Sequence, residues 1–173
     1  IGPIDRELRT YISDKIGFVP TFSQIKEKTC KDFVCVTRNI SKSKTIYMSI
    51  KNTPDLDVVD AVIRSSSIPL IFHECVRDGD TYVDGFFGDP YPILEFDKNK
   101  KVLGIMVSNY SDTNDGLRSV SALTSGLIDK YINMTNLLLS PNSRSMIIKY
   151  STSFISLSIA DDEKENMFRH GYD

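Results

Sequence analysis

The chain has 173 residues, of which 40% are hydrophobic and 25% are charged, a composition typical of one soluble globular domain with a single core. The formal net charge of -2, with basic residues scattered along the chain, argues against nucleic-acid binding, which usually needs a basic surface. No apolar run reaches the roughly 18 residues of a transmembrane helix, and the first residues lack the charged-then-apolar pattern of a secretory leader.

The first fifty residues carry two helical patterns followed by two strand patterns. Apolar residues at helical intervals predict a helix over residues 4–16, with Gly17 as its C-terminal stop. A second, short helix is predicted over Thr21–Lys28. The compact β-branched and aromatic runs Phe33–Thr37 and Thr45–Ile50 indicate two strands, and the polar segment between them is short enough for a hairpin.

Thr53-Pro54 is typical of a helix start, because the hydroxyl can cap the helix and proline lacks only an N–H that the first turn does not use. This predicts a helix over residues 54–67, which ends before Pro69. Two further strands, Ile71–Val76 and Thr81–Val83, flank Asp78-Gly79, a dipeptide that favours a tight hairpin turn.

The second half of the chain repeats this alternation. The patterns predict strands over Val102–Val107, Met146–Tyr150 and Phe154–Ile159. A long amphipathic stripe predicts a helix over residues 116–139, whose apolar face is typical of core packing. A final helix is predicted over Asp161–His170, with acidic residues in its first turn.

Alternating strands and helices favour an α/β layered fold with a mostly parallel sheet flanked by helices, to which the hairpins add antiparallel pairs. We expect the strands at 33–37, 45–50, 81–83 and 102–107 to share one sheet, with the helices at 54–67 and 116–139 on its faces. No linker or repeat divides the chain, so residues 1–173 are expected to belong to a single domain.

Three cysteines, Cys30, Cys35 and Cys75, form an odd set without the spacing of a metal site or a redox motif. Reduced thiols are therefore expected, which favours a cytoplasmic location or one peripheral to a membrane. The chain begins with Ile1 and not with methionine, so we expect a processed or truncated piece of a longer polypeptide.

The segment Ala61–Ile93 carries the clearest functional pattern. A helix ends in a run of serines, a hairpin follows, and a strand leads into Asp84 and Gly85. An acidic residue at the C-terminal end of a strand lies where α/β folds place their active sites. Glycine beside it allows backbone angles and a close approach that a side chain blocks.

This segment resembles the patatin-like phospholipase family, in which a helix ending in "SS-x-IP-x-x-F" precedes a hairpin, "Y-x-DGG" and "[DN]-x-x-P". The order and spacing agree over about 30 residues, and the matching positions here are Ser66, Ile68, Pro69, Phe72, Tyr82, Asp84, Gly85, Asp89 and Pro92. Two features depart from the family pattern. Phe86 replaces the second glycine, and neither the glycine-rich oxyanion loop nor the G-x-S-x-G nucleophile motif occurs in these residues.

The resemblance implies a lipid acyl hydrolase with a serine–aspartate dyad and a patatin-like layered fold, of which this chain is the C-terminal portion. Asp84 is then the general base, Gly85 shapes its loop, and Ser66, Pro69 and Asp89 support the surrounding motif. The resemblance implies a lipid or phospholipid ester substrate, transient contact with a membrane surface, and no metal or organic cofactor. It also implies a companion N-terminal segment that carries the serine.

Two expectations about Asp84 follow from these readings. In an active enzyme its carboxylate should accept a hydrogen bond from a backbone N–H of its own loop or from a serine of the companion segment. The alternative function is that of a catalytically silent remnant acting as a binding or structural module, which the replacement of glycine by Phe86 favours.

Three other groups of residues resemble functional sites. Ser65–Ser67, His73 and Asp84 contain the residue types of a Ser-His-Asp triad, but no serine lies in a glycine-flanked elbow. His170 is expected on the surface of the last helical turn. Asp112–Gly116 has the residue types of a calcium loop with its spacing off by one, so we interpret it as a turn and a helix cap.

Overall fold

The computed structural model describes residues 2–69, 72, 75–98, 101–109, 130–131, 133–139, 141–150 and 160–172. The contacts divide the chain into two compact units, residues 1–90 and residues 91–173, and each unit is described by itself.

Two helices open the first unit. Helix α1 spans Gly2–Ile16 and ends at Gly17, whose φ of 93° lies in the left-handed region that favours glycine. Helix α2 spans Phe22–Thr29 and begins with a capping box, in which Gln24 N donates to Thr21 Oγ1 and Thr21 N donates to Gln24 Oε1. Both helices confirm the sequence prediction.

Four strands form one antiparallel sheet in the order β2-β1-β4-β3. Their bounds are β1 Val34–Asn39, β2 Lys44–Ser49, β3 Cys75–Arg77 and β4 Asp80–Asp84. The predicted turn at Asp78-Gly79 is confirmed, since both residues have positive φ, 54° and 79°. The expectation of a mostly parallel sheet is wrong for these four strands, because two of their connections are hairpins, far shorter than a parallel crossover requires.

Helix α3 spans Val58–Ser65 and packs against β1 and β4. It begins four residues later than the Thr53-Pro54 start predicted from the sequence. Asp57 caps it by accepting a hydrogen bond from Asp60 N at 2.7 Å, whereas Thr53 closes the turn after β2 through two bonds with Ser49. Asp57 can therefore accept a free N–H of the first helical turn, whereas the Thr53 hydroxyl is already bonded to Ser49.

The core of the first unit lies between α3 and the sheet. Val59 and Ile63 of α3 pack with Cys75 and Tyr82, and Leu8 of α1 covers the same cluster. A second cluster joins α2 to the sheet and α3, and its buried members are Phe22, Cys35, Met48, Val58 and Ala61. The end of β4 is thereby fixed between a helix and a neighbouring strand.

The second unit contains α4 (Ile93–Asp97) and two strands, β5 (Leu103–Asn109) and β6 (Arg144–Tyr150). Helix α5 (Asp161–Tyr172) closes it. The strands pair in parallel with each other, so parallel pairing occurs here, but the prediction that residues 102–107 join the first sheet is wrong for the described residues. A parallel partner was available to β5 in β6, and strand partners cannot be assigned from local patterns.

Some predicted segments fall on residues outside those described. These segments are most of the helix at 116–139, the strand at 154–159, and the candidate calcium loop at 112–116. Of the helix at 116–139, residues 130–131 and 133–138 are described and are helical. His170 lies within α5, in agreement with its predicted place in the last helical turn.

Candidate active site

Asp84 is the last residue of β4, and hydrogen bonds to the backbone on either side of it fix the strand end. Its amide N donates to Ser67 O at 2.9 Å. In the register with β1, Asp84 stands opposite Thr37. The fully buried Thr37 hydroxyl lies 2.8 Å from Val83 O and 3.1 Å from Arg64 O, so it joins the end of α3 to the end of β4.

Gly85 starts a short 3-10 turn, Gly85–Phe87, that carries the chain away from the sheet. A Cβ atom at this position would lie 2.3 Å from Val36 O, which real Cβ atoms essentially never do. Gly88 N and Asp89 N both donate to Gly85 O at 2.9 Å and close the turn. Glycine is therefore required here by close approach to β1, and not by a left-handed backbone.

The Asp84 carboxylate is held by its own loop. Oδ1 accepts a hydrogen bond from Phe86 N at 2.8 Å, which confirms the expectation of a backbone donor. Burial raises the pKa of the Asp84 carboxyl above its ordinary value, and the Phe86 N–H partly opposes this by stabilising the charged form. A carboxylate with a raised pKa accepts a proton more readily than an exposed aspartate.

Phe86 stands where the family pattern has glycine, and its backbone still supplies the hydrogen bond to Asp84. Its side chain is 37% exposed, and it packs edge-to-face on Phe87, with ring centroids 5.6 Å apart. Phe87 is 53% exposed. The replacement of glycine therefore adds an aromatic surface beside the carboxylate without removing the bond that holds it.

The remaining predicted site residues have mixed surroundings. Asp89 joins the loop to β2, because Tyr47 Oη donates to its Oδ2 at 2.6 Å. Ser66 is exposed, and its hydroxyl donates to Val62 O at 2.8 Å. Pro69 is exposed on the segment after α3. The structure thus brings Asp84, Gly85 and Asp89 into one hydrogen-bonded loop, which Ser66 adjoins through Ser67.

Two of the three serines in the alternative triad, Ser66 and Ser67, have hydroxyls that are already bonded to carbonyls of α3. The Ser67 hydroxyl is buried and donates to Ile63 O at 2.6 Å, and the Ser66 hydroxyl is likewise bonded within the helix. His73 lies outside the described residues. Serine hydroxyls that already donate to helix carbonyls are poorly placed to act as nucleophiles.

A cavity of about 250 Å³ adjoins the Asp84 strand end. The described residues that line it are Ile4, Ile63, Ser66, Ser67 and Phe72. Ser67 connects the two features, because its carbonyl oxygen accepts the Asp84 amide hydrogen bond. The backbone of Asp84 is therefore bonded to a residue of the cavity wall.

A serine–aspartate pair also occurs in the second unit. Ser143 Oγ donates to Asp97 Oδ1 at 2.5 Å and accepts from Val102 N at 3.1 Å. Both residues are buried, with 5% and 7% of their surface exposed, so an ester cannot reach the hydroxyl. The pair fastens the start of β6 to α4, which is a structural role.

Within the described part of the chain, no group of three or more His, Cys, Asp or Glu side chains is arranged to hold a metal ion. None of the helices in those same residues combines the length and the apolar character needed to cross a membrane.

Sequence reasoning missed two residues that position the site, Thr37 and Tyr47. Thr37 stands among alternating strand residues, and Tyr47 is a half-buried strand residue. Their partners are 46 and 42 residues away along the chain. The only sequence signal is the inward-facing position of Thr37 in the alternation of β1, which does not identify a partner.

Comparisons with known proteins point to one family. A family model described as patatin-like phospholipase matches residues 9–97, just over half of the chain, and this span contains every predicted site residue. The uncharacterized protein R571 of Acanthamoeba polyphaga mimivirus is 30% identical over 158 residues, which are 90% of this chain and 51% of that protein. The probable lipid hydrolase 463L of Invertebrate iridescent virus 6 is 32% identical over 73 residues, 42% of this chain and 25% of that protein. The chain spans about half the length of the mimivirus relative.

Proposed function

Because the chain belongs to the patatin-like phospholipase family, we propose that it supplies the aspartate half of a lipid acyl ester hydrolase. The observation that carries the proposal is Asp84 itself. It ends a strand inside the family-matched region, its carboxylate is partly buried, and a backbone N–H of its own loop holds one oxygen. The similarity to a probable lipid hydrolase over 73 residues supports the same reaction class.

In the proposed mechanism, a serine outside these 173 residues attacks the acyl carbonyl carbon. Asp84 accepts the proton of the serine hydroxyl as the new C–O bond forms, and it returns that proton to the leaving alcohol when the ester C–O bond breaks. Water then attacks the acyl-serine, Asp84 takes one proton from the water, and the serine oxygen recovers it as the fatty acid leaves. Phe86 N–H engages Oδ1, so we assign the proton transfers to Oδ2.

The fold prepares Asp84 for this role in two ways. Thr37 and the Ser67 carbonyl fix the backbone on both sides of the residue, so the carboxylate does not have to be ordered when the substrate binds. Partial burial raises the pKa of Asp84 and thereby strengthens the base, while the Phe86 N–H partly opposes this rise by stabilising the charged form.

The proposed substrate is a lipid or phospholipid ester, met at a membrane surface that the protein contacts transiently, in or facing the cytoplasm. The second candidate function is that of a catalytically silent binding or structural module. Phe86 in place of the family's second glycine favours this candidate.

The test compares wild type with Asp84→Asn in the complete gene product that contains this sequence, assayed on a chromogenic acyl ester. Loss of the general base should lower kcat by about 10²–10⁴-fold. Asp55→Asn is the matched control, since Asp55 is an exposed aspartate in the same unit. If Asp84→Asn hydrolyses the ester as fast as Asp55→Asn does, Asp84 is not the base.

The silent-module candidate makes the opposite prediction, namely that the complete gene product has no ester hydrolysis above background. A second measurement concerns residues 1–173 alone. They should hydrolyse the ester no faster than their own Asp84→Asn variant, because they lack the proposed nucleophile. Clear turnover that Asp84→Asn abolishes would identify a serine within this chain.

A further inference from the structure

A cluster of three charged side chains lies between α3 and the hairpin of β3 and β4. Asp60 and Arg64 are one helical turn apart on α3, and each is only 8% exposed. Arg64 Nε and Nη2 donate to Asp60 Oδ2 at 2.8 and 2.6 Å, and Arg77 Nε of β3 donates to Asp60 Oδ1 at 2.8 Å. Both oxygens of the Asp60 carboxylate therefore bind guanidinium groups, which fixes the orientation of the Arg64 side chain.

Stability alone does not account for this cluster. Taking charges out of water is costly, and replacing a buried ion pair by apolar residues of similar volume is often neutral or stabilising. The Arg64 guanidinium makes a further contact that an apolar side chain cannot reproduce, since its central carbon lies 4.6 Å from the centroid of the Tyr82 ring. The attraction between a guanidinium and an aromatic ring is stronger when both are withdrawn from water, and both Arg64 and Tyr82 are buried.

The position of Tyr82 on β4 connects this contact to the proposed base. Tyr82 stands two residues before Asp84, so the two side chains leave the same face of the strand. Among the described residues, the pairing of β4 with β3 ends at Tyr82, and the strand beyond it pairs with β1 alone. A rotation of this strand end about its own axis would turn both side chains together. Fixing the Tyr82 ring therefore fixes the direction in which the Asp84 carboxylate leaves the strand.

The main chain of Arg64 reaches the same strand end by a second route. Its carbonyl oxygen lies 3.1 Å from Thr37 Oγ1, and that hydroxyl lies 2.8 Å from the carbonyl oxygen of Val83, the residue before Asp84. This contact does not depend on the side chain at position 64. A substitution of Arg64 therefore removes the contact with Tyr82 and leaves the main-chain contact in place.

We propose that Arg64 is a positioning residue for Asp84 and acts through the buried ring of Tyr82. The proposal rests on the proposed function, in which Asp84 is the general base. Asp60 orients the guanidinium of Arg64, the guanidinium holds the Tyr82 ring, and the ring sets the direction of the Asp84 carboxylate. Loss of the guanidinium should lower kcat and leave KM nearly unchanged, because the base is displaced while the groups that bind the substrate are not.

The experiment measures kcat and KM of the complete gene product on a chromogenic acyl ester. Arg64→Met removes the guanidinium but leaves Asp60 paired with Arg77, so no charge is buried alone. Met48→Ala is the matched control for lost stability, since Met48 is 1% exposed in a core cluster whose described members include no residue of β4. All values are taken at a temperature below the thermal midpoint of each variant.

We expect Arg64→Met to lower kcat by about 10²-fold, the cost of displacing a reacting group by about 1 Å. Met48→Ala should keep the kcat of wild type although it unfolds at a lower temperature. A wild-type kcat in Arg64→Met, or an equal loss in Met48→Ala, overturns the positioning role. Hydrolysis that Asp84→Asn abolishes would leave the proposed function intact in either case.

The contact between Arg64 and Tyr82 is tested with Tyr82→Leu, which removes the ring and keeps an apolar side chain, and with the double variant. If the two groups act as one unit, the double variant should have about the kcat of the lower single variant, because the second substitution removes nothing that remains. Losses in kcat that multiply would mean that Arg64 and Tyr82 act separately, which contradicts the proposal.

Amide hydrogen exchange separates the two proposals if no ester is hydrolysed. The Asp84 N–H donates to Ser67 O, and the Phe86 N–H donates to Asp84 Oδ1, so both amides report on the strand end. Relative to the amides of β1, they should exchange about tenfold faster in Arg64→Met than in wild type, the effect of losing a desolvated cation–π contact. Such a change without hydrolysis supports the positioning of Asp84 although the hydrolase proposal fails. Relative exchange that is the same in wild type, Arg64→Met and Met48→Ala overturns it.

Discussion

Replacing Gly85 by alanine should be among the most damaging small changes available in the first unit. The added Cβ would lie 2.3 Å from Val36 O and 2.8 Å from Val36 C. Both are backbone atoms of a strand that is paired with its neighbours on either side, so neither can rotate away as a side chain does. To reach the 3.0 Å that Cβ atoms tolerate, the turn or β1 must move by at least 0.7 Å, the difference from 2.3 Å.

Overpacking of a well-packed site costs about 1–3 kcal/mol, and a backbone clash belongs at the upper end, so we expect about 3 kcal/mol. For a chain of this length each 1 kcal/mol lowers the thermal midpoint by roughly 2–4 °C. Gly85→Ala should therefore unfold about 6–12 °C below wild type in a circular dichroism melt. The displaced turn should also weaken the Phe86 N–H bond to Asp84.

Two other glycines provide graded controls. A Cβ on Gly2 meets nothing within 4 Å, so Gly2→Ala should leave the midpoint near that of wild type. A Cβ on Gly88 would lie 2.7 Å from Thr45 Oγ1, a side-chain atom that can move at moderate cost, so Gly88→Ala should fall between the two. If Gly85→Ala has the same thermal midpoint as Gly2→Ala, the close approach of the turn to β1 is wrong.

Three further predictions follow from individual groups. Thr37→Val removes the hydroxyl that lies within bonding distance of Val83 O and Arg64 O, and it should lower the free energy of unfolding in urea by about 1–3 kcal/mol. Thr37→Ser should recover most of this loss, and an equal loss in both variants would exclude the hydrogen-bond explanation. Burial raises the pKa of Cys35 to about 11, so at pH 8 only about one Cys35 in a thousand is a thiolate. Iodoacetamide should therefore label the exposed Cys30 before Cys35, as measured by mass spectrometry, and equal labelling rates would contradict the burial of Cys35. Because the pKa of Asp84 is raised, its carboxyl stabilises the folded state at low pH, and this contribution is lost as pH rises from the ordinary aspartate pKa through the raised one. The free energy of unfolding of Asp84→Asn should therefore rise relative to that of wild type from acid to neutral pH, and a difference that does not change with pH would contradict the raised pKa.

Elements set by short stretches of sequence were predictable. Two examples are the capping box at Thr21 and Gln24 and the turn at Asp78-Gly79. Each depends on residues at most three positions apart, so a local sequence pattern is enough to predict it. The start of α3 was not predictable, because Thr53 and Asp57 are both suitable N-cap residues. Asp57 caps the helix because the Thr53 hydroxyl is bonded to Ser49, and those bonds form only once β2 is in place.

The pairing of strands was not predictable from local patterns. A hydrophobic run has the same appearance whether its partner runs parallel or antiparallel, and β5 was assigned to the wrong sheet for that reason. In the candidate site, the motif identified Asp84 and Gly85 as positions, but the hydroxyl of Thr37 and the cavity depend on contacts between distant segments. Such contacts require the register of β1 with β4, which no single segment specifies.

The hydrogen bonds at Asp84 involve main-chain groups of residues 67 and 86, and this has a consequence for how the site changes in evolution. The carbonyl of Ser67 and the amide of Phe86 are present whatever side chains these positions carry. Substitutions there can reshape the surface around the carboxylate without displacing it. A change of the exposed Phe86 ring therefore alters the surface beside Asp84 and leaves the acid in the same place.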